Sequence, residues 1–242
     1  FTACTMASVV EALGMALPGS ASPPAATAAN DLNPQKLEDC RTSVRALFSL
    51  MQAKISARDV MTKGAFENAI SVMFALGGST NAVLHILALA KEARVELSMD
   101  DFDRIGKRVP LIANLSPHGP FHMSDLNALG GVPVVMRALL DGGLLNGDCM
   151  TVTGRSVAHN LAHTPTVGEL GTQQVLRPLE APLSPAGNHI IVLKGNLATE
   201  SALMKLSGKE VPVFEGPAVV FDSELLAFEA IMARRVVRGD VV

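Results

Sequence analysis

Two adjacent glycines, Gly77 and Gly78, interrupt an apolar helical pattern, and a helix does not run through such a pair without a large conformational cost. The pattern from Phe66 to Leu76 has the spacing of a buried helix, and a second apolar pattern leaves from Val83 to Ala90. Between them stand Ser79, Thr80 and Asn81. The chain is therefore expected to form two helices joined by a tight turn, with hydroxyl, amide and backbone N–H donors gathered where the second helix starts. Two readings follow from that placement. Ser79 or Thr80 caps the helix, or the three side chains and the helix N-terminus face an anionic group.

The rest of the chain narrows the possibilities. Its 242 residues suit one large domain or two modest ones, and 48% hydrophobic against 18% charged content describes a soluble globular protein with a large core. No apolar run approaches the roughly 18 residues of a membrane span. A net charge of −3 gives no electrostatic footprint for nucleic acid or an anionic membrane, and the absence of Trp and Tyr removes the usual base-stacking platforms. Cys4, Cys40 and Cys149 are far apart and odd in number. They suit a reducing compartment, where each is expected to be a small buried apolar residue. The chain opens on Phe1 and stops at Val242 in what reads as the beginning of a strand, so a segment of a longer protein is expected.

Read in order, Met6, Val9, Val10, Leu13 and Leu17 mark a first helix ended by Pro18. Leu37, Val44, Leu47, Phe48 and Met51 mark a second, with Arg41 and Arg45 on a more solvated side. Asp59 and Thr62 are cap candidates before a third face of Phe66, Ala69, Ile70, Met73 and Phe74. Ser98 and Asp101 have capping-box spacing and place Phe102 and Ile105 inward. Ser124 is expected to cap a helix reaching Leu129, and Gly130–Gly131 separate it from another running from Val134 to Leu140. Val109–Leu115 and Cys149–Val152 read as short buried strands, and a helix is expected around Val157–Ala162. Strands alternating with helices indicate α/β layers. Near Thr164 the composition turns to Pro, Gly, Thr and Gln. Beyond it His189–Leu193, Leu203–Leu206, Val211–Phe214 and Ala218–Phe221 are short and β-prone, and Asp222 or Ser223 caps a helix through Ala233.

The residues themselves spell out no sufficient catalytic motif. His118 and His122 are four apart, but Pro117, Gly119 and Pro120 argue against a helix that would aim both at one metal, and a loop or interface role is expected. His85 is expected to be a hydrogen-bonded core histidine, while His159 and His163 default to the surface. Asp100, Asp101 and Asp103 look like a helix first turn, and Asp148 belongs to the Asn146–Gly147 turn. No Walker spacing is present. A ligand-binding module and an enzyme remain equally open on these grounds.

Longer strings separate them. Thr2-Ala3-Cys4-Thr5-Met6-Ala7-Ser8, Glu11-Ala12-Leu13-Gly14-Met15, Ala65-Phe66-Glu67-Asn68-Ala69 and the run from Leu76 to His85 resemble the dihydroxy-acid dehydratase family. So do Met123-Ser124-Asp125, Gly130-Gly131-Val132-Pro133, the run from Gly147 to Gly154, Leu193-Lys194-Gly195-Asn196-Leu197-Ala198 and Phe214-Glu215-Gly216-Pro217-Ala218. The resemblance spans the whole chain and is closer to the branched-chain amino-acid enzyme than to the phosphogluconate and sugar-acid dehydratases. It implies an α/β fold, with part of an N-terminal three-layer α/β domain over 1–170 and the start of a β-rich, barrel-like C-terminal domain over 171–242.

The same resemblance implies a hydro-lyase that takes water from a 2,3-dihydroxy-3-methyl carboxylate to give a 2-keto acid. The family uses an iron–sulfur cluster (2Fe–2S or 4Fe–4S) as Lewis acid on the 3-hydroxyl, Mg²⁺ on the carboxylate and 2-hydroxyl, and a serine alkoxide on the C2 proton. Its cluster cysteines, its metal-binding carboxylates and lysine, and its catalytic serine correspond to positions outside this segment. Cys4 stands where the family usually has Asn. No catalytic residue and no metal ligand is therefore expected within the chain, and Ser79, Thr80 and Asn81 are the expected substrate-binding residues. A homodimer acting on a small dihydroxy acid is implied, with no nucleic-acid or membrane partner. A sugar-acid dehydratase, or a non-catalytic module that kept part of the fold, is the alternative.

Overall fold

A computed structural model describes residues 2–27, 29, 31–206 and 213–242. The chain divides into two compact units, the first ending at Leu206 and the second beginning at Ser207. In the first, α1 (Thr2–Ala12), α2 (Pro34–Ala53), α3 (Ala57–Val60), α4 (Lys63–Ala75) and α5 (Asn81–Ala93) come before α6 (Met99–Gly106), α7 (Met123–Ala128), α8 (Val132–Asp141) and α9 (Val157–Leu161). A 3-10 turn at Val167–Leu170 and a hairpin of β1 (Ile190–Leu193) and β2 (Ala202–Lys205) complete it. The fold is mixed α/β and mainly helical. Its sheet is two antiparallel strands, registered Ile190 to Lys205 and Leu193 to Ala202, and no barrel closes among the described residues.

The core is built around α4. Thr62 caps it as expected, its hydroxyl accepting the Ala65 N–H at 3.3 Å. From Ala65 to Ala75 all but Glu67 are buried, because α1, α5, α6 and α8 pack around the helix. Phe66, Ile70 and Met73 are at most 1% exposed, and each such side chain contributes roughly 1.5–3 kcal/mol relative to exposure. At its far end Gly77 adopts φ +69°. Gly77 N–H then bonds to Phe74 O (3.1 Å) and Gly78 N–H to Met73 O (2.9 Å), the paired bonds of a Schellman stop.

Helix α1 ends earlier than expected. The apolar period carries on to Leu17, yet the helix stops at Ala12 because Gly14, at φ +82°, closes the same Schellman pattern. Its buried side is Thr5, Ser8, Val9, Glu11 and Ala12, so Met6, Val10 and Leu17 are only half-buried. Helix α2 begins at an Asn33 cap followed by Pro34, but no residue of it is buried. Leu37, Val44, Leu47, Phe48 and Met51, expected to face a core, lie along an exposed apolar stripe.

Helix α6 carries the predicted box, with Asp101 accepting the Ser98 N–H at 3.0 Å and Phe102 and Ile105 buried. Lys63–Asp101 and Arg104–Glu67 pairs join it to α4 at the surface. The cap of α7 is His122 rather than Ser124: Asp125, three residues beyond His122, accepts its N–H at 2.7 Å and sets the start. Residues 109–115 are largely buried as expected, but they make isolated bridges instead of a regular strand, Leu111 with Ser184 and Ala113 with Leu176. Cys149–Val152 is likewise reduced to a bridge between Met150 and Ser156.

In the second unit Ser223 caps α10 (Glu224–Met232), accepting the Leu226 N–H, and Ala218 bridges Val241 in parallel. The β-prone run expected at Val211–Phe214 begins outside the described residues, and Val213 and Phe214 are not in a strand. Among the described residues no helix is long and apolar enough to cross a membrane.

One buried carboxyl organises the loop after α1. Glu11 is 4% exposed and accepts the backbone N–H groups of Gly19 (2.7 Å) and Ala21 (2.9 Å). Burial pushes its pKa up to about 7, against the downward pull of those two amides and of Lys36. The folded state thus holds a proton that the unfolded chain releases near 4.5, so stability from this group is full below that value and is lost as pH rises through about 7. Thermal unfolding should show a decline of order 1–3 kcal/mol between pH 4.5 and 7.5 from Glu11. Glu11→Gln should flatten that decline; an unchanged pH profile in the variant would assign it elsewhere.

Candidate functional site

The turn from α4 to α5 is held by the first turn of α1. A Cβ on Gly78 would lie 2.8 Å from Met73 Cγ and 2.9 Å from Thr5 Cγ2; one on Gly77 would meet Leu111 Cδ1 at 2.9 Å and His118 Cδ2 at 3.0 Å. Only residues without a side chain let these segments approach so closely. The approach brings hydroxyls together. Thr5 Oγ1 accepts the Ser79 N–H at 3.2 Å, and the Thr2 and Ser79 hydroxyls lie 3.2 Å apart. Asn81 Nδ2 donates to Thr2 Oγ1 at 3.0 Å, and Asn81 N–H reaches Ser79 Oγ at 3.3 Å.

Beside this cluster opens a cavity of about 530 Å³. Cys4, Thr5 and Ser8 of α1 form one wall and Leu76, Gly77 and Gly78 a second. The loop from Ala21 to Ala25 forms a third, held by Glu11 at Ala21 and by Ser22 Oγ donating to Asn127 Oδ1 at 3.0 Å. Leu115, Ser116, His122, Met123 and Ser124 close it. No Asp, Glu, Lys or Arg side chain is among these lining residues. Such a wall can hydrogen-bond a neutral polyol and exclude water, but it brings no Lys or Arg to a carboxylate or phosphate.

The expected substrate-binding residues sit at this junction in different settings. Ser79 is 7% exposed and turned toward Thr2; Thr80 is half-buried and its hydroxyl makes no cap bond to α5; Asn81 is exposed. The cavity edge itself is made by Gly77 and Gly78. Sequence reading missed Thr2, Thr5, Ser8 and Glu11, although three of them lie on the buried side of α1, where polar residues in an apolar helix are a signal in themselves.

His118 lies behind the turn rather than with His122. Its ring meets that of His189 edge to face, centroids 4.6 Å apart at 79°. His189 is 4% exposed, and the Nε2 atoms of both rings are buried without a hydrogen-bond partner. Burial pushes the His189 pKa down to about 3, with His118 and Lys205 acting in the same direction. Burial, then Lys205, lowers that of His118 as well. Both rings are therefore neutral at physiological pH. His85, expected in the core, is exposed on α5, and His159 and His163 are at the surface. Cys149 is buried, while Cys4 and Cys40 are exposed, contrary to the expectation for small apolar residues. Among the described residues no group of three or more His, Cys, Asp or Glu side chains comes together as a metal site. The donor set present does not fit an iron–sulfur cluster or Mg²⁺: Cys4 reaches the cavity alone, among hydroxyls.

Two family descriptions match the sequence. "Dihydroxy-acid/6-phosphogluconate dehydratase N-terminal" covers residues 1–160, and the corresponding C-terminal description covers 174–242. The chain is similar over its full 242 residues to the dihydroxy-acid dehydratase of Leifsonia xyli subsp. xyli, at 53% identity and 41% of that protein's length. It is 51% identical to dihydroxy-acid dehydratase 1 of Nocardia farcinica, covering 41% of it, and 52% identical to the dihydroxy-acid dehydratase of Mycobacterium avium, covering 40%. The chain thus spans about two fifths of the length of the curated relatives it matches.

The close approach at the turn has a direct test. Gly78→Ala should destabilise the protein by about 1–3 kcal/mol through overpacking against Met73 and Thr5. Gly154→Ala, at φ +71° with nothing within 4 Å, carries the backbone cost alone, about 1 kcal/mol. Chemical denaturation that ranks the two variants in the opposite order would contradict this packing.

Proposed function

The chain belongs to the dihydroxy-acid/6-phosphogluconate dehydratase family, and on that premise we propose that it forms part of a dihydroxy-acid dehydratase. The reaction removes the C2 proton and the C3 hydroxyl of a 2,3-dihydroxy-3-methyl carboxylate as water, and the enol tautomerises to a 2-keto acid. Its place in this proposal is the biosynthesis of valine, isoleucine and leucine, as the resemblance to the branched-chain amino-acid enzyme implies. The observation that carries the assignment to a site is the hydroxyl cluster where α1 meets the α4–α5 turn, beside the 530 Å³ cavity.

In this proposal Thr5 and Ser8 supply one wall of the substrate pocket, and Ser79, Thr80 and Asn81 stand next to the edge that Gly77 and Gly78 make. Their task is to hydrogen-bond the substrate hydroxyls or the backbone that faces them, and to keep water from the reacting carbons. A lining without Lys or Arg favours a branched dihydroxy acid over a phosphorylated sugar acid, whose phosphate calls for one of them. Charge neutralisation of the substrate carboxylate and activation of the leaving hydroxide need groups that this lining does not carry. The iron–sulfur cluster and Mg²⁺ of the family would be held by residues beyond those described here. No catalytic role is assigned to any residue of the chain. The gap between the two family descriptions, 161–173, supports placing the evolutionary domain boundary at 170/171, and a homodimer remains part of the proposal.

The test is kinetic, in a full-length polypeptide carrying this sequence. Thr80→Ala and Ser79→Ala should each lower kcat/KM by about tenfold or more. Thr80→Ala should do so with a Tm change under about 2 °C, since its hydroxyl makes no cap bond. Variants that lose stability but keep their kinetics would reduce the motif to a structural turn.

A further inference from the structure

A residue from the far end of the first unit completes the wall described above. Lys205, at the end of β2, donates from Nζ to Gly77 O at 3.2 Å and Gly78 O at 2.9 Å. These carbonyls lie at the C-terminal, electronegative end of α4, where an ammonium is favoured, and charge-assisted bonds are about twice as strong as neutral ones. The Lys205 side chain is half-buried. His189, just before β1, packs against the same turn and against His118.

We propose that Lys205 is a positioning residue: its ammonium clamps the Gly77–Gly78 turn, and so fixes the N-terminus of α5 and the Ser79–Asn81 side chains against α1. The proposal rests on the reading of this turn as a substrate wall. It adds that the wall is assembled from both halves of the family sequence. Gly77–Asn81 falls in the segment 1–160 and Lys205 in the segment 174–242. A turn made of two glycines has little rigidity of its own, and the clamp supplies it through bonds to backbone carbonyls, which no side-chain substitution within the turn would remove.

Desolvation pulls the Lys205 pKa down to about 8, so the amine is charged at pH 7. Among the described residues, His118, from the segment after residue 115, and His189, ahead of β1, are titratable groups that face it, and burial lowers both below the ordinary histidine value. Because the pKa is lower in the closed turn than in solvent, rising pH favours the closed turn over an opened one and does not release it.

Amide hydrogen exchange of residues 77–83 in the purified chain, corrected for intrinsic rates, tests this with no substrate present. In the wild type, protection at these amides should hold or rise between pH 7 and 9.5. Lys205→Met should lower it about tenfold or more at pH 7, with the circular dichroism melt recording that the fold is kept. Lys205→Arg keeps donors for the two carbonyls and should keep protection at pH 7, a rescue that loss of packing alone would not give. Protection identical in Lys205→Met and wild type, or falling with pH in the wild type, would overturn the clamp. Should Lys205→Met not fold, Lys205→Arg decides the matter: kept protection supports the clamp, and lost protection overturns it. A failed kinetic effect at Ser79 and Thr80 alongside an intact exchange response would reject the substrate wall while leaving the clamp in place.

Discussion

The close contact between the first turn of α1 and the Gly77–Gly78 turn is the constraint on which the site depends. Met73 and Thr5 occupy the space that any side chain at position 78 would need, and Leu111 and His118 do the same at position 77. Because the turn is this tight, α4 can stop, reverse and restart as α5 within a few residues while its buried face stays in the core. Because α1 lies directly against it, Thr2 and Thr5 of α1 meet Ser79 of the turn and Asn81 of α5 in one hydrogen-bonded cluster. Backbone geometry and polar chemistry are thus set by the same packing.

The cavity beside this contact is shaped by bonds made outside it or at its wall. Glu11 ties down the loop at Gly19 and Ala21, and Ser22 fastens that loop to α7 through Asn127. Both operate through hydrogen bonds that would be costly to leave unmade in a buried setting. The result is a pocket lined by no Asp, Glu, Lys or Arg although a buried carboxyl stands one layer behind it. In a dehydratase that division has a rationale: polar neutral groups orient hydroxyls without competing with the cations that the elimination itself requires.

Much of the local structure was legible in sequence. Thr62, Ser98 and Ser223 cap the helices their spacing indicates, and the two glycines end α4 where expected. Where the reading failed, the reason was physical. The apolar period continues from Leu13 to Leu17, but Gly14 takes a left-handed conformation and ends α1 regardless. Ser124 has the right chemistry for a cap, yet Asp125 selects His122 by accepting its N–H. Short apolar runs at 109–115, largely buried, and 149–152, partly buried, do not become strands, since burial and sheet pairing are separate conditions. The stripe on α2 has helical period but nothing in the described residues covers it. Contacts such as Lys205 to Gly77, 128 residues apart, leave no local signal at all. Similarity strings identified the family, whereas periodicity located the turn without saying which polar groups would surround it.

The proposed substrate site is the cavity between α1, the Gly77–Gly78 turn and the Ala21–Ala25 loop. A structure of the full-length polypeptide with a bound 2,3-dihydroxy-3-methyl carboxylate measures this directly. The expected result is a ligand hydroxyl within hydrogen-bond distance of the Thr5, Ser8 or Ser79–Asn81 groups. A ligand bound elsewhere, with this cavity filled by other parts of the chain, would contradict it.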